Sequence, residues 1–190
     1  MIKSNTFEKI ELGAGLLLSN FTDVNSIADA DIVCATRGGG TLSVPASMRN
    51  IGVDGVRTNT VESYVNDGWT PTLTFTALTS TPEMVQMALG VADIEGDKVI
   101  PKHDVDNSYF KDYYWIGERS DGATVVFYLA NCISTGGLSW KRNDKGESES
   151  SITLTANYTA STQDTAPFWM QEIASSSTQT TPATNTPAQE

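Results

Sequence analysis

The sequence predicts a mainly β fold, a sandwich or barrel with one short flanking helix. Apolar and polar side chains alternate in residues 70–78 and again in residues 151–160, as in strands with one buried face. The run 124–133 (TVVFYLANCI) is nearly all apolar and rich in β-branched and aromatic residues, which is typical of a central strand covered on both sides. Turn residues separate the candidate strands, at 95–96, 121–122, 136–137 and 143–146.

Three further segments are candidate strands: residues 10–16, 113–118 and 167–173. The helix is predicted over residues 81–90. Thr81 is a suitable N-cap, Pro82 fits the first helical position, and Glu83 favours the positive end of the helix dipole. An apolar stripe follows, and Gly90 is a typical helix terminator. A helix of about nine residues is unstable alone, so we expect it to pack against the sheets.

The length of 190 residues fits one domain, which we place at residues 1–173. Residues 174–190 (ASSSTQTTPATNTPAQE) contain no aromatic or large aliphatic side chain. Such a composition does not offset the entropy lost on ordering, so this segment is predicted to be a flexible tail. A mucin-like stalk is the alternative, and it requires secretion.

The chain is acidic, with a formal net charge of −11. Between Arg57 and Lys98 there are acids but no bases, which argues against a surface that grips phosphates. The chain starts without the basic and apolar pattern of a secretion signal, and no run approaches the ~20 apolar residues of a membrane span. We therefore expect synthesis in a cytosol, no membrane partner, and reduced thiols at Cys34 and Cys132.

The glycine run at residues 38–40 is the first candidate for chemistry. A phosphate-binding loop needs a lysine and a following helix, whereas Thr41 to Pro45 read as a strand. A glycine-rich bulge or turn is therefore the preferred interpretation. Residues 104–108 begin like a calcium loop, but Tyr109 and Trp115 occupy the positions of its glycine and its bidentate glutamate.

His103 is the only histidine, and acids lie close to it in sequence. An activated cysteine would need His103 beside Cys34 or Cys132, which the sequence does not show. A surface-loop histidine is the preferred interpretation. The alternating acids Asp93, Glu95 and Asp97 around Gly96 favour a solvated turn over a metal site. Without a recognisable catalytic group, we expect no enzyme and no cofactor.

Residues 35–41 (ATRGGGT), the short strand through Val44 and Pro45, and residues 49–55 (RNIGVDG) follow one another in an order that resembles the major tail protein, or tail tube protein, of long-tailed bacteriophages infecting Gram-positive hosts. The resemblance continues through residues 69–74 (WTPTLT), the helix at 81–90 and residues 166–168 (APF). The chain differs from the family at Gly52, where we expect an acid, and in its long Ser/Thr tail.

This resemblance implies a tail-tube-type β-sandwich whose subunits form hexameric rings that stack into a tube, located in the virion tail. DNA would pass through the lumen during ejection without specific binding. The implied partners are other copies of the chain, the tape measure protein inside the tube, and the tail terminator and distal tail proteins at its ends. No cofactor is implied.

Two sets of residues are candidates for this role. Residues 37–69 are predicted to form an arm between subunits, with contact candidates at Arg37, Arg49, Asp54 and Arg57. The alternative is an ordinary loop with solvated arginines. One hydroxyl-rich strand face, either that of Thr72 and Thr74 or that of Thr153 and Thr155, is predicted to face the lumen, and an outward-facing position is the alternative.

Two other classes of function remain. A secreted or surface-displayed Ig-like adhesion module would be an exported monomer with a Ser/Thr stalk. A small hydrolase with a dispersed site would reveal itself on chromogenic substrates.

Overall fold

The computed structural model describes residues 15–55, 58–78, 80–142, 144 and 147–174. The first strands are β1 (Leu16–Leu18), β2 (Ile32–Ser43), β3 (Ala46–Asn50), β4 (Tyr64–Trp69) and β5 (Thr72–Ala77). The helix α1 (Pro82–Leu89) follows, and then β6 (Ala92–Glu95), β7 (Lys98–Pro101), β8 (Lys111–Glu118), β9 (Thr124–Ser134), β10 (Ser139–Lys141), β11 (Glu149–Thr155) and β12 (Phe168–Ile173). The prediction of a mainly β fold with one short helix is confirmed.

Six strands close into a barrel in the order β11, β5, β2, β1, β8, β9 and back to β11. The closing pairing is short: Leu154 lies opposite Ser134, and Thr155 lies opposite Ile133. Beyond this seam β12 extends the sheet from β9 and β10 extends it from β11. Two small hairpins, β3–β4 and β6–β7, lie outside the barrel sheet.

Alternating side chains of the strands fill the barrel. On β5 the buried residues are Leu73, Phe75 and Ala77, and on β11 they are Ile152 and Leu154. The strand predicted over residues 151–160 is shorter than expected, because β11 ends at residue 155. After residue 155 the backbone hydrogen bonds no longer follow one partner strand. The N–H of residue 156 donates to the carbonyl of residue 71, and the N–H of residue 157 donates to the carbonyl of residue 130.

The predicted central strand is β9. It pairs with β8 on one side, and with both β12 and β11 on the other. The strand bends at Asn131, whose φ of 47° lies in the left-handed region. Its N–H donates to the Asp112 carboxylate at 2.9 Å, so the bend has its own hydrogen bond.

The helix begins and ends where the sequence predicts. The Thr81 hydroxyl accepts a hydrogen bond from the Met84 N–H at 3.3 Å, and Pro82 is the first helical residue. Gly90 ends the helix with φ 78°, and a Cβ there would lie 2.6 Å from the carbonyl oxygen of Ser134. Because the buried face of α1 (Met84, Met87 and Ala88) belongs to the barrel's core cluster, the helix depends on packing for its stability.

The glycine run at residues 38–40 is a bulge in β2. Thr36 pairs with Ala77 and Gly40 with Phe75, so β2 has two more residues than β5 in this interval. A Cβ at Gly40 would lie 3.1 Å from the Trp115 ring, which is closer than most Cβ contacts, so this close approach favours glycine. The bulge interpretation is confirmed, and no helix follows the run to form a phosphate loop.

Two predicted segments fall partly or wholly outside the described residues. The early strand predicted over residues 10–16 has only its end in this part, where β1 begins at Leu16. Of the tail predicted over residues 174–190, only residue 174 is described.

Candidate assembly surfaces

The hairpin of β3 and β4 projects from the barrel between β2 and β5. We call residues 46–69 the arm hairpin. At its base the Trp69 N–H donates to the Tyr158 hydroxyl at 3.0 Å, and the Thr70 N–H donates to the Pro45 carbonyl at 3.1 Å. The Trp69 ring meets that of Phe168 edge-on, with centroids 5.8 Å apart. The arm predicted over residues 37–69 is therefore shorter, because residues 37–43 belong to β2 of the barrel.

The arm hairpin carries a concentration of exposed apolar side chains. The described residues include ten large hydrophobic side chains that are exposed, and five of them belong to the arm hairpin: Met48, Ile51, Val53, Val61 and Tyr64. Val61 is the most exposed of the ten, at 87%. Exposed apolar side chains concentrated on one element are typical of an interaction surface.

The loop that joins β3 to β4 has internal hydrogen bonds. The Ile51 N–H donates to the Ser63 carbonyl at 2.8 Å. Residues Val61–Ser63 form a 3-10 turn, and the Thr60 N–H donates to the Ser63 hydroxyl at 3.2 Å. These bonds hold Val61 in a defined position on the loop.

The predicted contact arginines have partners within their own chain. Arg37 contacts Glu147 at 2.9 Å and Glu149 at 3.2 Å, and Arg49 contacts Asp67 at 2.6 Å. A backbone hydrogen bond, together with the Arg37 ion pair, lowers the pKa of the Glu147 carboxyl. All these pairs are solvent-exposed, so each contributes little to folding.

Of the other two contact candidates, Asp54 and Arg57, the structure describes only Asp54. Asp54 is exposed in a turn of the arm hairpin, and Arg57 lies outside the described residues. A role of any of the four residues between subunits stays a prediction.

The two hydroxyl-rich strand faces of the sequence form one continuous surface. Thr74 lies opposite Thr153, and their hydroxyl oxygens are 3.1 Å apart. Thr72 lies opposite Thr155, whose hydroxyl is 3.3 Å from that of Thr135. We call this surface the hydroxyl face, and its members on β2, β5 and β11 are Thr41, Ser43, Thr72, Thr74, Thr76, Ser151, Thr153 and Thr155.

The hydroxyl face points away from the barrel core, since its members alternate with the buried residues of the same strands. None of its members is charged. Glu149 precedes Ser151 by two positions on β11 and therefore shares its face, so the ion pairs of Arg37 with Glu147 and Glu149 border the hydroxyl face at one end. The members of the hydroxyl face are therefore polar but uncharged.

An aromatic row on β8, β9 and β12 was not recognised in the sequence. Tyr114 and Tyr128 lie opposite each other with ring centroids 5.0 Å apart, and Trp169 stacks on Tyr128 at 5.1 Å. The Tyr128 hydroxyl donates to Asp112 at 2.7 Å. The pKa of the Tyr128 hydroxyl is raised, mainly by partial burial and secondly by this hydrogen bond. Each of the three strands contributes one ring to this row, so the row forms only through the pairing of these strands.

The candidates for chemistry are not assembled into a site. Cys34 and Cys132 are each 1% exposed, whereas His103 lies exposed in a bend, as its surface-loop interpretation predicts. Burial raises the pKa of the Cys34 thiol to about 12 and also raises that of Cys132, which makes both poor nucleophiles. In the described ranges no three His, Cys, Asp or Glu side chains are grouped as metal ligands. Among the described helices, none has the length and apolar character needed to cross a membrane.

Comparison with known proteins yields distant likenesses of fold. No family model and no curated protein matches the sequence. A chain from the tail of an empty gene transfer agent (GTA) particle, computed with helical refinement in C6 symmetry, is 8% identical, with a TM-score of 0.43 over 77% of this chain and 92% of the other. A chain from the virion of a native GTA particle gives 8% identity and a TM-score of 0.39 over the same shares.

A third solved chain, from the tube-terminating cap of the anti-feeding prophage, is 12% identical. Its TM-score is 0.47, and the match covers 90% of this chain and 92% of the other. Likenesses of this degree concern the course of the backbone and assign no role to any residue.

Proposed function

We propose that this chain is a structural subunit of a phage-type tail tube, in which identical copies assemble into rings, six to a ring, that stack into a tube. The observation that carries the proposal is the arm hairpin, a projecting element whose large apolar side chains are exposed in the isolated chain. Burying such side chains against another copy removes apolar surface from water, which is the main favourable term in association.

The strand topology supports self-assembly in a ring. All six barrel strands have partners on both sides, whereas β10 and β12, which extend the sheet beyond the barrel, each have only one partner strand among the described residues. Unpaired strand edges favour pairing with another chain. A head-to-tail ring covers such edges in every copy and leaves none open at closure.

The charge distribution supports a tube through which DNA passes. The chain has a net charge of −11, so its overall field repels the phosphate backbone. The hydroxyl face is uncharged, and we place it at the lumen wall. Polar groups there keep the wall hydrated, and Arg37 at its border is paired with Glu147 and Glu149, so it offers little free positive charge to hold DNA in place.

The resemblance to tail proteins of phages infecting Gram-positive hosts suggests the remaining partners. These are the tape measure protein inside the tube, with the tail terminator and distal tail proteins at its ends. Residues 1–173 would form the assembling domain. Deletion of residues 174–190 should therefore leave assembly intact, and loss of tubes on that deletion would give the tail a role in assembly.

Electron microscopy of the purified full-length chain at increasing concentration tests the proposal. We expect rings or long hollow tubes, and sedimentation should show a concentration threshold for their formation. Monomers at every concentration would refute it and favour the adhesion module. Turnover of chromogenic ester or glycoside substrates would favour a hydrolase.

The position of the hydroxyl face has its own test in assembled tubes. Thr74→Cys should react with a small maleimide and resist a bulky one, because only the small reagent diffuses along a narrow lumen. His103→Cys, on an exposed bend, is the control and should react with both. The buried native thiols give little background. Equal reaction of both variants with the bulky reagent would place the hydroxyl face outside the lumen.

A further inference from the structure

A cavity lies at the barrel seam, where β9 leaves β12 and joins β11. It has a volume of about 370 Å³, within the range of small-molecule sites. Its walls come from the loop before β8, the bend of β9 and the segment after β11. The side chains that matter are Asn107, Phe110, Asn131, Asn157, Tyr158 and Thr159.

Two of these asparagines are locked side by side. The Asn157 Nδ2 donates to the Asn131 carbonyl at 2.9 Å, and the Asn131 Nδ2 donates to the Asn157 carbonyl at 3.3 Å. Neither Oδ1 accepts a hydrogen bond from another described residue, and neither is among the fully buried unsatisfied atoms of the described part. Two fixed acceptors are therefore available to donors from outside the chain.

Asn131 holds this geometry in a backbone conformation that most residues avoid, with φ 47°. Asparagine adopts this conformation more readily than other non-glycine residues, so the bend fits the residue type at this position. The Asp112 carboxylate accepts the Asn131 N–H at 2.9 Å, which stabilises the bend.

The rest of the cavity adds aromatic rings and a third amide. Tyr158 is fixed by the hydrogen bond that its hydroxyl accepts from the Trp69 N–H at 3.0 Å, and Phe110 is half-buried. Asn107 is exposed at the start of a 3-10 turn that Asp106 caps through the Ser108 N–H at 2.8 Å. The rings offer flat apolar surface, and the amides and the Thr159 hydroxyl offer directional hydrogen bonds.

We propose that this cavity binds a neutral saccharide of about two sugar units. None of the six side chains is charged at neutral pH, in a chain with net charge −11, so the site does not select an ion. A polyhydroxylated ring presents many donors to the free Oδ1 acceptors and an apolar face to the aromatic rings. This activity is separate from the proposed tube assembly.

A second copy of the chain is a poorer occupant. The exposed side chains of the arm hairpin are mostly aliphatic, namely Met48, Ile51, Val53 and Val61. Inserting them would cover the side-chain amide oxygens of Asn131 and Asn157 without supplying donors, which is unfavourable. The chemistry of the walls therefore favours the saccharide.

Calorimetric titration of the full-length chain with maltose, cellobiose and N,N′-diacetylchitobiose, each to about 10 mM, tests the inference. We expect at least one of them to bind with a Kd of about 1 mM or tighter, and a sulfated disaccharide not to bind. Asn107→Ala should weaken binding about 2- to 10-fold, which is the effect of one lost hydrogen bond. Asn20→Ala, at another exposed asparagine, is the matched control and should bind as the parent does.

Three outcomes would overturn the inference. The first is no binding of any of the three disaccharides. The second is an equal effect of the Asn107 and Asn20 substitutions, with thermal stability showing that both variants are folded. The third is self-association of the chain that protects the Asn131 and Asn157 side-chain amides from solvent exchange, which would assign the cavity to a neighbouring copy.

Discussion

Replacing Val61 by serine should separate assembly from folding. Val61 is 87% exposed in the isolated chain, so its side chain contributes little to the free energy of unfolding. Full burial of a valine side chain is worth about 1.5–3 kcal/mol. Since nearly the whole side chain is available, a contact that buries it in a neighbouring copy should lose about 1.3–2.6 kcal/mol in the variant.

A loss of that size corresponds to a contact weakened about 10- to 80-fold. The concentration threshold for tubes, measured by sedimentation and electron microscopy, should rise accordingly in Val61→Ser. The control is Val105→Ser, at a valine that is 62% exposed but lies outside the arm hairpin. Both variants should unfold within about 0.5 kcal/mol of the parent. Equal thresholds for the two variants would refute the argument that the arm hairpin makes the contacts.

Three further predictions concern the fold itself, and all are measured by denaturant unfolding. Gly90→Ala should destabilise the chain by more than about 2 kcal/mol, because the added Cβ would clash with the Ser134 carbonyl oxygen in a backbone that is already left-handed. Gly96→Ala is the control and should cost only about 1–2 kcal/mol, since Gly96 has φ 63° and nothing within 4 Å of a Cβ. Equal losses in the two variants would contradict the close approach of Gly90 to the Ser134 carbonyl. Thr81→Ala should cost about 1 kcal/mol through loss of the helix cap, and an unchanged free energy would mean that the cap contributes nothing. The pKa of the Cys34 thiol is raised from 9.0 to about 12, so the folded chain keeps this proton to higher pH; the thiol's contribution to stability is complete below about pH 8 and falls by about 1.4 kcal/mol per pH unit between 9.0 and 12. Burial raises the pKa of Cys132 as well, so Cys34→Ala should remove only the Cys34 share of the slope, about 1.4 kcal/mol per pH unit, and leave the rest. The same slope in the parent and in Cys34→Ala would contradict this.

The local patterns of the sequence were sufficient for most elements of the fold. The helix from Pro82 to Leu89 was predictable because its cap, its first residue and its terminator are all local signals. The strand β5 and the central strand β9 follow from alternation and from an apolar run. The end of β11 was not predictable, because alternation continues to residue 160 while the partner strands do not.

The candidate surfaces depend on pairings between distant strands. The sequence offered the Thr72 and Thr153 faces as alternatives, since nothing local shows that β5 and β11 are neighbours. Arg37 and its acids are more than a hundred residues apart, so their pairing was likewise not visible. The cavity at Asn131 is lined by three separate segments, and the left-handed conformation of Asn131 could not be predicted from the sequence pattern.

The arm hairpin is inserted between two strands that are already hydrogen-bonded neighbours. Ser43 at the end of β2 lies directly opposite Thr72 at the start of β5, so a tight turn would be enough to join them. The part of the arm hairpin beyond the Trp69 contacts at its base can be lengthened, shortened or exchanged while every pair of the barrel keeps its register. The reach of a subunit towards its neighbours and the stability of its body are therefore free to change independently.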